Sequence, residues 1–247
     1  MENCGPGLLR EVSEFCGRMP GFTPTCQKEP MSFSIELSGR PFSPQRIFCI
    51  GKNYPAHVRE MADPPPGEPV VFMKPPTSLV RDGETLSRPE HGHVLHHEVE
   101  VVVLIGQSGK NIPEKEAPGW IAGLALGLDL TLRDVQSIMK KKGLPWEMAK
   151  SFDQSAPVGS FIPFTNSIVL SDISFQCSVE GQRRQQGKTS DMLYSIPYLI
   201  HFLSGIWALQ PGDLIFTGTP SGVGPLEAGN RVRLESDILP GCEWVVA

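Results

Sequence analysis

The sequence predicts an α+β fold, mostly β with a few helices. Short apolar runs of strand length recur along the chain, and glycine and proline bound them. Helical periodicity is confined to a few short patches. With 24 prolines and 25 glycines among 247 residues, strands and turns are favoured over a helix bundle. No internal repeat is visible, and we expect a single domain over residues 31–247.

Residues 1–30 differ from the rest of the chain. They mix glycine, proline and cysteine without a sustained period, apart from one or two helical turns over residues 8–15. Such a composition lacks the apolar pattern of a packed core. We therefore interpret this segment as an N-terminal appendage and expect it to be partly disordered.

The predicted strands follow from the apolar runs, taken in chain order. Residues 98–105 carry the strongest strand pattern, and residues 175–179 begin a hairpin whose turn is Glu180-Gly181. The predicted set is 47–50, 70–74, 98–105, 124–128, 175–179, the segment after residue 181, and 214–217.

Three helical patches lie between these strands, at residues 56–61, 131–142 and 196–203. Asn53 is placed to cap the first helix, which tolerates Pro55 in its first turn. Thr131 and Asp134 are three residues apart, the spacing of a capping arrangement for the second helix.

Composition and charge exclude several classes of function. A net charge of −5 argues against non-specific binding of nucleic acid, and the basic run at residues 140–142 is interpreted as a solvated helix end. No apolar run reaches about 18 residues, so no membrane span is expected. The six cysteines are scattered without a C-x-x-C pair, as in proteins of a reducing compartment. We expect a cytoplasmic protein, with the mitochondrial matrix as the open alternative.

Glu98 and Glu100 form the first candidate site. Because side chains of a strand alternate, both glutamates point to the same face. Two carboxylates side by side in an apolar strand repel each other unless a cation lies between them. Oxygen ligands suit magnesium, manganese or calcium rather than zinc. The alternative is an edge strand whose outward face carries two glutamates.

Asp129 is the third candidate ligand. It ends the apolar run 124–128, where an isolated charge is costly, and it precedes a predicted helix. The alternative is an ordinary turn residue. His96 and His97 adjoin the glutamates, but neighbouring strand residues face opposite ways, so at most one could reach a metal. We expect both histidines to pack or to support the ligands.

His57 and Glu60 form a candidate proton-transfer pair. Their i, i+3 spacing on the first predicted helix places them close enough to hydrogen-bond. A carboxylate on one ring nitrogen raises the basicity of imidazole and leaves the other nitrogen to accept a proton from water. A surface pair without a function has the same spacing and remains the alternative.

Further candidates lie downstream. Arg133 and Gln136 share the i, i+3 spacing on the second helix, and Lys150 lies among apolar residues that favour a half-buried position. Residues 218–224, GTPSGVG, form a glycine-rich loop of the kind that exposes backbone N–H groups to anions. It matches neither a P-loop nor a Rossmann fingerprint.

As a set, these segments resemble the fumarylacetoacetate hydrolase superfamily, over about residues 45 to 235. The branch that they most resemble contains acylpyruvate hydrolases and oxaloacetate decarboxylases. The end of the chain, residues 240–247, matches weakly, and residues 1–30 match nothing in the pattern. The segments that carry the resemblance are GKNY at 51–54, FMKP at 72–75, HEVE at 97–100, LDLTLRDVQ at 128–136, KGLPW at 142–146, AKSFD at 149–153 and GTPSGVG at 218–224.

The resemblance implies a mixed β-sandwich roll that forms a homodimer and binds Mg²⁺ or Mn²⁺. It implies that the metal ligands are Glu98, Glu100 and Asp129. The His–Glu dyad of the family corresponds to His57 and Glu60. The residues that correspond to substrate-contacting groups are Arg133, Gln136, Lys150 and Thr219.

The hypothesis that follows is hydrolysis of a carbon–carbon bond in a 2,4-dioxo acid to pyruvate and a carboxylic acid. His57 would activate water, and Lys150 with Gln136 would stabilise the oxyanion. A metal would carry the enolate charge as a Lewis acid. Decarboxylation or tautomerisation of oxaloacetate, and isomerisation of an unsaturated dioxo acid, use the same enolate chemistry and remain alternatives. A binding protein that keeps the fold without catalysis is the rival from another class.

Overall fold

The structure, a computed structural model, describes residues 33–62 and 64–247, and strands are the main regular structure of this part. The predicted appendage at residues 1–30 lies outside the described residues. Residues 33–247 form one compact unit. The α-helices of the described part are α1 (Pro55–Glu60), α2 (Arg133–Lys142), α3 (Glu147–Lys150) and α4 (Ile196–Ile206).

Eighteen strands alternate with these helices in the described residues, which confirms the predicted mostly β fold with a few helices. In chain order they are β1 (Ile35–Leu37), β2 (Arg40–Phe42), β3 (Ile47–Gly51), β4 (Val70–Lys74), β5 (Leu79–Arg81), β6 (Thr85–Leu86), β7 (Leu95–His97), β8 (Val99–Ile105), β9 (Ile121–Leu128), β10 (Thr131–Leu132), β11 (Ala156–Val158), β12 (Ile162–Pro163), β13 (Ser174–Val179), β14 (Gln182–Lys188), β15 (Leu214–Phe216), β16 (Gly224–Pro225), β17 (Arg231–Ser236) and β18 (Cys242–Val246).

The largest sheet is mixed and has eight strands. Its order is β4-β3-β15-β8-β9-β11-β5, with β12 also paired to β9. The pair β8 and β9 is antiparallel and continuous from Val99↔Leu128 to Leu104↔Gly123. The second sheet has five strands in the order β14-β13-β17-β18-β6. A third sheet has three strands in the order β10-β7-β16, and among the described residues β1 pairs only with β2.

Both faces of the largest sheet are buried, because the side chains of its central strands alternate between two apolar clusters. On β8, Val101 and Val103 belong to the main cluster, whereas Val102 and Leu104 belong to the second. Glu100 has the parity of Val102 and Leu104. It therefore continues the second face at the end of the strand, which is where the candidate site lies.

The chain passes from the three-stranded sheet into the largest sheet at Glu98, between β7 and β8. It returns at Asp129, between β9 and β10, and the Asp129 N–H donates to the Glu98 carbonyl at 2.9 Å. The predicted single strand 98–105 is therefore two strands with Glu98 at their junction. Both acidic residues lie where one sheet ends and another begins.

The predicted helix caps are wrong. Tyr54, not Asn53, precedes α1, and it makes no side-chain capping bond. The Asn53 amide is instead fully buried and donates to the carbonyls of Thr217 and Tyr194 at 2.7 and 3.0 Å. Because these partners are distant in sequence, Asn53 fixes the entry of α1 through tertiary contacts.

The second predicted cap fails for a similar reason. Thr131 is in strand β10, and α2 begins at Arg133 after Leu132. The Asp134 carboxylate accepts the His93 N–H at 2.8 Å, so it joins the helix to the segment before β7. The predicted β13–β14 hairpin is confirmed, since Glu180 and Gly181 both have the positive φ of its turn.

No described helix is long and apolar enough to cross a membrane.

Candidate active site

Three buried carboxylates converge at the end of the largest sheet. One oxygen each from Glu98, Glu100 and Asp129 lies within 4.8 Å of the others. The three residues are only 4%, 1% and 2% exposed. Strand parity brings the two glutamates together, and the antiparallel partner β9 brings Asp129 beside them.

Two buried lysines surround this carboxylate cluster. The Lys150 ammonium lies 2.8 Å from Glu98 Oε2 and 2.6 Å from Asp129 Oδ2. Lys74 lies 2.9 Å from Asp129 Oδ1 and donates to the carbonyls of Leu130, Lys150 and Ser155. Lys150 was expected to be half-buried and is 3% exposed. Asp129 thus has an ammonium group on each of its oxygens.

Glu100 lies in a more negative environment than its neighbours. The Gly218 N–H donates to Glu100 Oε2 at 2.7 Å. Among the described residues, neither lysine forms an ion pair with it. Burial raises the pKa of Glu100 well above its usual value, and Asp129 raises it further. A positive charge placed close to Glu100 would therefore favour its ionised form.

Glu98 and Lys150 remain ionised. Burial alone would raise the pKa of Glu98, but Lys150 and Arg133 more than offset it, so this pKa lies well below its usual value. Burial likewise opposes the charge of Lys150, yet Asp129 and Glu98 raise its pKa above the ordinary value. Lys150 therefore acts here as a fixed positive charge and hydrogen-bond donor, not as a base.

The donor set fits a hard divalent cation. All three converging ligands are carboxylates, which is the chemistry that Mg²⁺ and Mn²⁺ prefer. The cations of Lys74, Lys150 and Arg133 pair with Asp129 and Glu98. Among the described residues none of them pairs with Glu100, so Glu100 is the carboxylate whose charge a bound cation would balance.

Arg133 connects α2 to the carboxylate cluster. Its guanidinium donates to Glu98 Oε1 through Nη2, and to Gln136 Oε1 at 2.6 Å through Nη1. Because the oxygen of the Gln136 amide is engaged, its NH₂ group remains the donor of that side chain. Both residues line the same pocket as the carboxylates.

His57 and Glu60 are hydrogen-bonded as the spacing predicted. His57 Nδ1 lies 3.0 Å from Glu60 Oε2, and His57 is 7% exposed. The other carboxylate oxygen of Glu60 accepts the Gly222 N–H at 2.9 Å. The glycine-rich loop therefore holds Glu60, and Glu60 holds the imidazole.

The glycine-rich loop, residues 218–224, contacts both parts of the site. Its first residue binds Glu100 and its fifth binds Glu60. Strand pairing fixes both ends, since β15 pairs with β8 and β16 pairs with β7. Thr219 lies between these anchors and lines the pocket.

Eight of the nine predicted site residues line one pocket, and Glu60 lies behind His57. The cavity has a volume of about 40 Å³. A water molecule needs roughly 10–15 Å³ of such space, so the cavity admits a compact ligand. Phe72 and Trp146 supply an apolar wall, with ring centroids 6.0 Å apart. The eight lining residues are His57, Glu98, Glu100, Asp129, Arg133, Gln136, Lys150 and Thr219.

Neither histidine beside the glutamates joins the carboxylate cluster. His97 Nδ1 lies 2.8 Å from Gln185 Oε1, and His96 Nδ1 lies 3.5 Å from Arg133 Nε. Burial, followed by the charge of Arg133, lowers the pKa of His96 to about 4. His96 is therefore neutral at neutral pH.

Two residues of the site were missed by the sequence reasoning. Lys74 shares the parity of Phe72 on β4, so strand alternation could have identified it as an inward-pointing lysine. Gln185 hydrogen-bonds Thr219 and His97 from β14. It lies in the run QRRQQGK, and no local pattern in that run distinguishes it.

The comparisons with known proteins agree with this geometry. The family model described as fumarylacetoacetate (FAA) hydrolase C-terminal matches residues 46–247. The chain is 46% identical over 193 residues to the mitochondrial oxaloacetate tautomerase FAHD1 of Mus musculus, covering 78% of this chain and 87% of that protein.

Solved structures share the fold. Fumarylpyruvate hydrolase from Pseudomonas aeruginosa, crystallised in complex with Mn²⁺ and pyruvate, superimposes with a TM-score of 0.84 at 35% identity. The match covers 92% of this chain and 98% of that chain. A 5-carboxymethyl-2-hydroxymuconate delta-isomerase from Mycobacterium smegmatis gives a TM-score of 0.74 at 34% identity, over 84% and 80% of the two chains. These matches confirm the β-roll fold that the motifs predicted.

Proposed function

The chain belongs to the fumarylacetoacetate hydrolase family of enzymes, and we propose that it is a metal-dependent enzyme acting on a small 2-oxo acid. The observation that carries the proposal is one compact cavity lined by three convergent carboxylates, by the cations of Arg133 and Lys150 that pair with them, and by a buried imidazole. The Mn²⁺ and pyruvate named for the Pseudomonas aeruginosa relative support the same class of cofactor and ligand.

We assign the metal to Glu98, Glu100 and Asp129. A bound Mg²⁺ or Mn²⁺ would supply Lewis-acid stabilisation for the negative charge of an enolate. Lys150 and Arg133 hold two of these carboxylates, Glu98 and Asp129, in fixed positions through ion pairs. These contacts position the metal-binding carboxylates before a cation binds.

The remaining residues bind and orient the substrate and move its protons. Glu60 holds His57 through Nδ1, so Nε2 is left to accept a proton from water or from the substrate. The Gln136 amide and the Thr219 hydroxyl present polar hydrogens at the same cavity. Phe72 and Trp146 exclude water from one side, which strengthens each of these polar contacts.

The first candidate reaction is hydrolysis of the carbon–carbon bond of a 2,4-dioxo acid, of the acylpyruvate or fumarylpyruvate type. The bond between His57 and Glu60 favours it, since an imidazole held by a carboxylate can deprotonate water. Lys150 and Gln136 would then stabilise the tetrahedral oxyanion, and cleavage would leave pyruvate and a carboxylic acid.

The second candidate is tautomerisation of oxaloacetate. It is supported by relatives in several species that are named oxaloacetate tautomerases. In this reaction His57 would carry a proton between the carbon and the oxygen of the substrate without activating water. Decarboxylation of oxaloacetate or isomerisation of an unsaturated dioxo acid would need the same residues. The reaction types share enolate stabilisation and differ in the fate of the enolate.

A parallel assay separates these reactions. Purified protein would be given acetylpyruvate, fumarylpyruvate and oxaloacetate, each with Mn²⁺, with Mg²⁺ and with excess chelator. We expect turnover that requires a metal. His57→Ala and Glu60→Gln should lower hydrolysis by about 10²- to 10⁴-fold, the usual contribution of a general base. Wild-type rates of hydrolysis in either variant would refute the assignment of His57 and Glu60 as the base. If the wild-type protein bound the metal but turned over none of the three substrates, the alternative of a binding protein would be favoured.

Two further properties are proposals, one from the family resemblance and one from the composition of the chain. We propose that the protein is a homodimer, which light scattering of the purified chain would test. We also propose a cytoplasmic location, while the named relatives include mitochondrial proteins. Fractionation of the source cells would decide between the two compartments.

A further inference from the structure

Gln185 is a buried amide in an exposed strand. Its neighbours on β14, Arg184 and Gln186, are exposed, whereas Gln185 is 1% exposed. Its side chain points inward to the glycine-rich loop and to the strand that carries the glutamates. A buried amide needs partners for its oxygen and for both of its hydrogens, so its contacts define what it does.

The Gln185 amide has a full set of partners. Its oxygen accepts the Val99 N–H at 3.1 Å and lies 2.8 Å from His97 Nδ1. Its nitrogen donates to the Pro220 carbonyl and to Thr219 Oγ1, both at 2.8 Å. A backbone N–H can only donate and a backbone carbonyl can only accept. The contacts with Val99 and Pro220 therefore define which end of the amide is which, and a flipped amide would lose both.

This orientation determines the role of the Thr219 hydroxyl. Because the Gln185 NH₂ group donates to it, Thr219 Oγ1 must be the acceptor in that contact. A hydroxyl has one proton, and this proton is then left for another acceptor. Thr219 lines the cavity of the carboxylate cluster, so the proton is available to a ligand in that cavity.

We propose that Gln185 is a positioning residue that sets the Thr219 hydroxyl as a hydrogen-bond donor to an anionic oxygen of the bound 2-oxo acid. The same amide holds Val99, which lies between the two glutamates, so it also fixes the distance from this donor to the carboxylate cluster. The inference rests on the proposed substrate class. It adds Gln185 to the site as a residue that acts on the ligand only through Thr219.

The test exchanges the donor for an acceptor. Gln185→Glu keeps the shape of the side chain, but an ionised carboxylate cannot donate to Thr219 and instead attracts its proton. Pyruvate binding would be measured in the presence of Mn²⁺ by water-proton relaxation, and KM and kcat would be measured with the best substrate of the parallel assay. Gln186→Glu is the matched control, because it makes the same change at the next position, on the exposed side of the strand.

We expect Gln185→Glu to weaken pyruvate binding by about 10- to 100-fold, the loss of one hydrogen bond to a charged group. KM should rise by a similar factor while kcat changes less, and Gln186→Glu should behave as the wild type. Gln185→Met, which removes the donor without adding charge, should also weaken binding, because the Thr219 hydroxyl loses the contact that orients it. Mn²⁺ affinity and the thermal midpoint are measured for each variant to establish that it is folded.

A double-mutant cycle with Thr219 distinguishes positioning from a general structural role. If Gln185 acts through the hydroxyl, Thr219→Val should weaken pyruvate binding as Gln185→Glu does, and the double variant should bind no more weakly than Thr219→Val alone. Thr219→Ser, which keeps the hydroxyl, should bind pyruvate more tightly than Thr219→Val.

Additive losses in the double variant, unchanged binding in Gln185→Glu, or failure of both Gln185 variants to fold would each overturn the inference. A failure of the proposed function is visible in the wild-type protein alone, as neither pyruvate binding nor turnover of a 2-oxo acid. That result would remove the premise of the inference as well. Wild-type binding and turnover with unaffected Gln185 variants would overturn the inference and leave the function standing.

Discussion

At the scale of single residues, Glu100 has opposite effects on stability and on metal binding. Its raised pKa means that the folded protein holds a proton that the unfolded chain has already lost, at pH values above the ordinary carboxyl pKa of 4.5. In that window the unfolded state binds fewer protons than the folded state, so the contribution of Glu100 to stability falls as the pH rises. A bound divalent cation removes this penalty, since it favours the ionised carboxylate.

Glu100→Gln should therefore stabilise the metal-free protein at neutral pH and abolish stabilisation by the metal. We expect its thermal midpoint to exceed that of the wild type by a few degrees in chelator, at roughly 2–4 °C per kcal/mol for a chain of this size. The difference should shrink as the pH is lowered towards 4.5. Calorimetric scans with chelator and with Mn²⁺ measure both effects, and the exposed Glu36→Gln is the control. A lower midpoint for Glu100→Gln in chelator would contradict the prediction.

Lys74 is predicted to be a structural residue of the site. It is 2% exposed, donates to three backbone carbonyls and forms an ion pair with Asp129. Lys74→Met keeps the length of the side chain but leaves these oxygens buried without a donor. We expect a loss of about 3–5 kcal/mol in the free energy of unfolding, as for other broken buried ion pairs.

Urea denaturation measures the effect of Lys74→Met, with Lys115→Met as the exposed control. The control should change the free energy of unfolding by less than about 0.5 kcal/mol, as surface substitutions usually do. Equal stability of the two variants would show that the buried ammonium is dispensable.

At the scale of elements, the glycine-rich loop depends on close backbone contact with β14. Gly222 has a φ of +97°, and a Cβ atom at this position would lie 2.1 Å from the Arg184 carbonyl oxygen. Gly229 also has a positive φ, of +86°, but a Cβ atom there meets nothing within 4 Å. Both glycines have a left-handed backbone conformation, but only Gly222 has no room for a Cβ atom.

Gly222→Ala should displace the loop and separate its N–H from Glu60, which lowers kcat/KM by at least about 10-fold. Gly229→Ala should keep wild-type activity and lose only the ~1–2 kcal/mol that a left-handed conformation costs an L-residue. Steady-state kinetics and thermal unfolding of the pair measure the difference. Equal activities would show that the loop relaxes around the new methyl group.

The elements also show which inferences from sequence are secure. Seven of the eighteen strands of the described residues, including both strands of the hairpin, were predictable, because alternation and turn residues are local properties. The helix caps were not. Asn53 bonds to Tyr194, 141 residues away, and Asp134 bonds to His93, 41 residues away. A side chain that the local pattern assigns to a cap is available to any partner that the fold brings near.

At the scale of the whole molecule, the family motifs predicted nine site residues, and eight of them line one cavity. Strand parity by itself indicated only that Glu98 and Glu100 share a face. Gln185 was not predicted, since its burial depends on how the five-stranded sheet meets the glycine-rich loop. The sequence likewise left the reaction open. Hydrolysis and tautomerisation need the same charged groups in the same cavity.

Every residue assigned to the site lies between residues 57 and 219, and residues 33–247 form one compact unit. We therefore predict that a chain beginning at Phe33 keeps the fold and at least half of the wild-type kcat/KM. Gel filtration, circular dichroism and the parallel assay test it. Loss of activity with an intact fold would assign a functional role to residues 1–32.

The junction of the sheets at Glu98 restricts how related sequences can vary in length. Deleting one residue of β8 would turn Glu100 towards the opposite face, into the apolar interior. The 15 positions from 106 to 120 carry no such constraint, because they connect β8 to β9 away from the carboxylates. Insertions and deletions among homologues should therefore accumulate between residues 106 and 120 and be absent between residues 98 and 105.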